Sequence, residues 1–175
     1  MSRELRADEQ PTVSGKHLTF CLSKEQYALS IRNVQEIVGA LDVTVVPQTP
    51  HYVLGVVNLR GKIIPVVDLR AKFGMPASVA TAETCTIVVE TSRAEIGLLV
   101  DRVCDVVAID ASVVDPPPTL GLDIDTKYLR GIGKVEGRVQ LILDIEQVLQ
   151  DADLPQHSPS NESPDAERVG PTNED

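Results

Sequence analysis

Apolar and polar residues alternate strictly from Lys16 onward: Leu18, Phe20 and Leu22 fall on one face, His17, Thr19 and Cys21 on the other, the pattern of a half-buried strand. The polar turn Ser23-Lys24-Glu25-Gln26 leads to a second run in which Tyr27, Leu29 and Ile31 share a face, so the two read as a hairpin. Shorter strands are predicted at 34–38, 43–46, 54–59 and 62–67, with Pro47 and Pro50 breaking the chain between the second and third. A small-residue connector, 77–83, precedes strands at 84–90, 95–100, 103–109, 129–135 and 138–143. Two short helices follow from capping chemistry. Asp68 caps 69–73, which Gly74 and Pro76 end, and Asp144 caps 145–150.

The pattern repeats. Gly55-Val-Val-Asn-Leu-Arg-Gly-Lys-Ile-Ile-Pro-Val-Val-Asp-Leu69 lies without a gap over Gly131-Ile-Gly-Lys-Val-Glu-Gly-Arg-Val-Gln-Leu-Ile-Leu-Asp-Ile145. Upstream, 28–38 matches 97–107 in the same order. Two ordered matches argue for two units of one fold, each of about five strands. Short twisted strands with tight turns suggest a small closed barrel, because closure removes exposed edges; an open sandwich is the rival arrangement. Residues common to both copies, such as Gly61/Gly137 and Asp68/Asp144, are explained by turn and cap geometry. Residues that differ are free of that demand. Arg60 is replaced by Glu136 at the turn, Asn58 by Lys134 and Pro65 by Leu141. A guanidinium at a hairpin tip suits bidentate contact with a partner carboxylate, whereas an internal pair with Asp68 or a solvated turn is the bland reading. Pro65 reads as an edge or bulge marker.

Composition narrows the function. With five aromatics in 175 residues, the cores must be filled by Val, Leu and Ile, which favours strands. The net charge of −10, without a basic cluster to offset it, argues against nucleic acid as a partner. Much of that charge belongs to 151–175, which is acidic, proline-containing and expected to be disordered; residues 1–15 are expected to be flexible. No apolar run is long enough for direct membrane insertion, and a cytoplasmic location is expected. Cys21, Cys85 and Cys104 read as reduced strand or core residues. The scattered His17, His51 and His157 suggest neither a metal site nor a nucleophile–base pair, and no phosphate-binding or nucleophile-elbow motif occurs. A non-catalytic chain without cofactor is therefore expected. A small-ligand binder or enzyme on a β-barrel scaffold is the alternative.

Val34-Gln-Glu-Ile-Val38, the spacing to Val46-Pro-Gln-Thr-Pro50, and above all Asn58-Leu-Arg-Gly-Lys-Ile-Ile-Pro-Val-Val-Asp-Leu-Arg70 resemble the CheW family of chemotaxis coupling proteins. Tyr128–Gly133 and Leu141–Ile145 fit its C-terminal half, and the resemblance spans about 16–150. It implies an all-β fold of two SH3-like five-stranded barrels, approximately 16–80 and 81–150, with strand exchange between them left open. It further implies coupling of chemoreceptor cytoplasmic tips to a CheA-type histidine kinase. By position, Ile31, Val34, Glu36, Arg60 and Val100 would meet the receptor, and Val43, Val45, Gly55, Asp115 and Leu120 the kinase. The resemblance favours the partner reading of Arg60. Glu36 keeps a structural alternative, since its repeat partner Asp105 is also acidic. The acidic, rigid loop Asp115-Pro-Pro-Pro118 and the acidic tail depart from the family pattern.

Overall fold

The computed structural model describes residues 13–118, 124–150, 152 and 154. Among them, eleven strands and two short α-helices form: β1 (Gly15–Leu22), β2 (Glu25–Ser30), β3 (Val34–Val38), β4 (Val53–Leu59), β5 (Lys62–Asp68), α1 (Leu69–Lys72), β6 (Cys85–Glu90), β7 (Glu95–Val100), β8 (Arg102–Ile109), β9 (Val114–Asp115), β10 (Leu129–Val135), β11 (Arg138–Leu143) and α2 (Ile145–Gln150). The period-two segments became strands nearly to the residue. The strand expected at 43–46 is reduced to one bridge between Thr44 and Val56. Pro47 follows immediately and has no N–H to extend the pairing. Of the tail expected to be disordered over 151–175, residues 151, 153 and 155–175 lie outside the described residues, as do 1–12 and Leu120, whereas Ala152 is buried in the largest apolar cluster.

Two sheets result, with strand orders β8-β1-β2-β11-β10-β9 and β3-β6-β7-β5-β4. They do not divide the chain near residue 80. The first hairpin, β1–β2, leaves its sequence neighbours and joins the C-terminal strands, while β3 to β7 make the second sheet. Burial explains the exchange: all six residues from His17 to Leu22 are buried, so β1 is covered on both faces rather than half-buried, and it takes a neighbour on each side. The sheets have six and five strands, and among the described residues no ladder joins the ends of either one.

The largest apolar cluster lies between the sheets, where Leu18, Phe20, Tyr27 and Leu29 of one meet Val67, Ile87, Leu98 and Val100 of the other, with Leu143 and Val148 closing it. Smaller clusters fill the second face of each sheet: Val57, Ile64, Val66 and Val88 in one, Ala28, Ile109 and Ile142 in the other. Each fully buried side chain of this size contributes about 1.5–3 kcal/mol, so the shared cluster dominates cohesion. Four of the aromatics form a ladder through it, Phe20–Tyr27–Phe73–Tyr128, with ring centroids 5.7, 5.9 and 5.7 Å apart.

The sequence repeat is a structural repeat. In β4–β5, Val53 faces Val67 and, after a bulge, Gly55 faces Val66; in β10–β11, Leu129 faces Leu143 and, after the same bulge, Gly131 faces Ile142. The N–H of Asp68 donates to Tyr52 O, and that of Asp144 to Tyr128 O, both at 2.8 Å. Both aspartates cap helices as expected, Asp68 accepting from the N–H groups of Arg70 and Ala71, and Asp144 from that of Gln147 at 3.3 Å. Pro65 is not on an edge strand, because β5 lies between β7 and β4. It is tolerated because the parallel ladder to β7 starts only at Val66.

Where the chain crosses from β7 to β8, Asp101 is gripped from two sides. Arg70 donates through Nε at 2.8 Å and Nη2 at 2.6 Å, and the Ser23 N–H donates at 2.8 Å. The Arg70 hydrogen bond chiefly holds the Asp101 carboxyl below its ordinary value of 3.8, against the opposing effect of burial. A lowered folded value means that this stabilisation is complete above the ordinary value and is lost as pH falls through it and then through the folded value. Acid titration of stability should therefore show a smaller loss below pH 3.8 in Asp101→Asn than in the unmodified chain. Equal acid slopes would show that the crossing does not depend on this ion pair.

Candidate functional site

The β4–β5 turn is built on Arg60 and Gly61, with φ of 53° and 85°. Two successive positive φ values match the twist of the flanking strands in a two-residue hairpin. Asn58 Oδ1 accepts the Gly61 N–H at 3.0 Å and braces the turn. A positive φ at a non-glycine residue can flag functional strain. Here it does not, because Glu136 in the second copy has φ 51° at the same point of the β10–β11 turn.

From this tip, Arg60 Nη2 donates to Glu36 Oε2 at 2.9 Å and Nη1 to Glu36 Oε1, a fork-to-fork pair. The hydrogen bond from Arg60 holds Glu36 below the usual carboxylate range, and the reciprocal contact raises Arg60. The internal partner is thus Glu36; Asp68 is occupied with its helix cap. The side chain of Arg60 is 74% exposed and that of Glu36 26%, so the guanidinium can donate to a further carboxylate or carbonyl without breaking the pair.

The pair has an architectural meaning as well. β3 and β4 stand at opposite ends of the five-stranded order, yet Glu36 on β3 reaches the turn that follows β4. The sheet curls on itself, and Val38 of β3 packs with Val57 and Ile64 in the same small cluster. In the other copy, the aligned residues are Asp105 and Glu136, two acids that cannot form such a pair. Only one of the two related sheets offers this group.

Ile31 and Val34 are partly buried and pack against the shared core beside this sheet. Val100 is 2% exposed and points into that core, as the alternation along β7 requires once Leu98 does so. Of the five residues assigned by resemblance to the receptor, the structure joins Glu36 to Arg60 and puts Ile31, Val34 and Val100 in or against one cluster.

The second set divides between two edges. Thr44 bridges to Val56 on β4, placing Val43 against the small cluster and leaving Val45 76% exposed. Gly55 permits this approach: a Cβ there would sit 2.1 Å from Thr44 O. Asp115 lies on β9, paired with Ile132 at the edge of the other sheet. Gly131 serves the same purpose there, since a Cβ on it would sit 2.8 Å from Asp115 O. Val43, Val45 and Gly55 therefore share one edge, and Asp115 marks its counterpart. Sequence reasoning missed the Arg70–Asp101 contact, which spans 31 residues and two elements. Its only trace was an Arg just after the capping Asp.

Two related sheets around a shared apolar core, with an exposed ion pair and two glycine-lined edges as their notable features, define the class of the chain as all-β. The chain belongs to the CheW-like family, whose CheW-like domain model matches residues 16–153. Among its relatives, the chemotaxis protein CheW of Klebsiella aerogenes is 36% identical over 143 residues, covering 82% of this chain and 86% of that protein. The chemotaxis protein CheW of Helicobacter pylori is 39% identical over 132 residues, covering 75% and 79%. The crystal structure of the scaffolding protein TtCheW from Thermoanaerobacter tengcongensis superposes with a TM-score of 0.75 at 34% identity, covering 82% of this chain and all of that one. Among the described residues, no helix is long and apolar enough to cross a membrane.

Proposed function

We propose that this chain couples the cytoplasmic tips of chemoreceptors to the regulatory domain of a CheA-type histidine kinase, acting in the cytoplasm beneath membrane-associated receptor arrays. The observation that carries this reading is the exposed Glu36–Arg60 pair, present in one copy of the repeat and chemically impossible in the other. A scaffold residue would be expected in both copies; a partner's site need occur only once. The names of the relatives, chemotaxis proteins and a scaffolding protein, agree with it.

In this reading the receptor helix packs its apolar side against Ile31 and Val34 and its polar rim against the ion pair. Val100 acts from beneath, holding that surface in place. The kinase domain meets the edge formed by Val43, Val45 and Gly55, where the exposed Val45 offers apolar area without charge. Asp115, at the edge of the six-stranded sheet, extends the kinase contact, and Leu120, which lies outside the described residues, is assigned to the same contact.

The test is kinase autophosphorylation with receptor-containing membranes, with and without the added chain. Receptor-controlled kinase activity is expected to appear only when the chain is present. Unchanged control on addition would overturn the coupling role.

A further inference from the structure

Cys21 on β1 and Cys104 on β8, 83 residues apart in the chain, bring their sulfurs to 3.2 Å. The register shows how. Thr19 faces Asp105 and Phe20 faces Val103, so Cys104 is the extra residue of a bulge in β8. A bulge re-aims a side chain, and here it turns Cys104 toward the face that Cys21 occupies. Polar donors surround the sulfurs: Arg102 Nη2 lies 3.3 Å from Cys21 Sγ, and Gln26 Nε2 lies 4.0 Å from Cys104 Sγ. Cys21 lines an open cleft with Lys24, Arg102 and Arg138, and Cys104 lines a neighbouring one with Arg102 and Arg138. Nothing in the coupling role uses either thiol.

We propose that Cys21 and Cys104 form an oxidisable site that closes reversibly to an intramolecular disulfide when the chain meets a hydroperoxide. The sulfurs need to approach by about 1 Å to reach bonding distance, a movement that an already irregular bulge can absorb. A shared soft metal ion is the competing use of two close thiols. It is disfavoured by the guanidinium against Cys21, and among the described residues no cluster of three or more Cys, His, Asp or Glu forms.

The order of events follows from the surroundings. The guanidinium held against its sulfur assigns the attack to Cys21. Burial and the hydrogen bond to Cys21 push the Cys104 thiol up to about 11. The Cys21 thiolate attacks the outer peroxide oxygen, the O–O bond breaks, and the alkoxide or hydroxide leaves with a proton from solvent, giving a sulfenic acid. Cys104 sulfur then attacks the sulfenic sulfur. The S–S bond forms, the S–O bond breaks, and the departing hydroxide takes the Cys104 proton as water. Two thiols and one hydroperoxide yield one disulfide, one water and one alcohol, or a second water from hydrogen peroxide. A dithiol reductant reverses the step, as the transient disulfides of reducing compartments require.

The test exposes the full-length chain to hydrogen peroxide, alkylates the remaining thiols and maps the peptides by mass spectrometry. A Cys21–Cys104 link within one chain is expected, with Cys85 alkylated and the link lost after dithiothreitol. Arg102→Gln should slow the loss of these two thiols several-fold, and Cys104→Ser should give no link while keeping its circular dichroism. The proposal is overturned if Cys21 and Cys104 remain alkylatable to the same extent as Cys85, or are recovered only as sulfinic acids or as links between chains. The map of the unmodified chain decides this even where a variant fails to fold.

Discussion

Arg60→Glu is expected to lower receptor affinity by about tenfold or more while the chain melts within about 2 °C of its parent. The stability half of this expectation rests on two observations. The ion pair is exposed, and such pairs contribute little to folding. The turn also accepts glutamate, because Glu136 holds the same backbone conformation in the other copy. The binding half rests on polarity: the change puts a second acid beside Glu36 and removes the cationic fork that Glu36 holds. A charge-swapped double variant, Glu36→Arg with Arg60→Glu, separates the two roles of the pair. It restores an internal contact of opposite polarity. Binding should remain weak if the pair recognises a partner, and should return if the pair only holds the curled sheet together. Receptor co-sedimentation and thermal melts measure both quantities, and an unchanged affinity in the single variant would remove Arg60 from the site.

Gly55→Ala is expected to destabilise the chain by about 1–3 kcal/mol, a fall in melting temperature of several degrees. Two costs combine. The backbone has φ +147°, a conformation that side-chain-bearing residues rarely adopt, and the new Cβ would meet Thr44 O at 2.1 Å and Val43 Cγ1 at 2.8 Å. Backbone cannot rotate aside, so the 43–45 segment must leave β4. Gly131→Ala is the internal comparison. Its Cβ would meet Val114 Cγ1 at 2.5 Å and Asp115 O at 2.8 Å without a positive φ, so its loss should be the smaller. Affinity for the kinase regulatory domain should fall with Gly55→Ala more than with Gly131→Ala, because only the first displaces Val43 and Val45. Urea melts of the three chains check the order, and a Gly55→Ala chain as stable as its parent would show that the Thr44 bridge is not held in solution.

Much of the local structure could be read along the chain. Alternation located ten strands within a residue or two, the aspartates located both helices, and the 55–69 against 131–145 match anticipated registers that coincide down to the bulge. The same comparison singled out Arg60 before its neighbours were known. Its partner could not be read. Asp68 was the near candidate, whereas Glu36 lies 24 residues away on a strand at the far end of the sheet order. Period two describes which face a residue takes, but not how a sheet curls. Val100 shows the converse limit. Position within a matched motif placed it among partner contacts, and its alternation with Leu98 buries it in the shared core.

What the sequence determined by itself was whatever depends on neighbours a few residues apart: strand periodicity, turns that need positive φ, capped helices and the presence of two equivalent units. What only the tertiary structure decided was pairing between distant strands. Sequence order suggested a division near residue 80, yet β1 and β2 lie with the C-terminal strands because both faces of β1 require cover. That exchange makes one core from two sheets, and the β8 bulge within it brings Cys104 to Cys21. Apolar burial carries no direction along the chain, so it can favour a strand 80 residues away over the adjacent one, and only the assembled core records which was chosen.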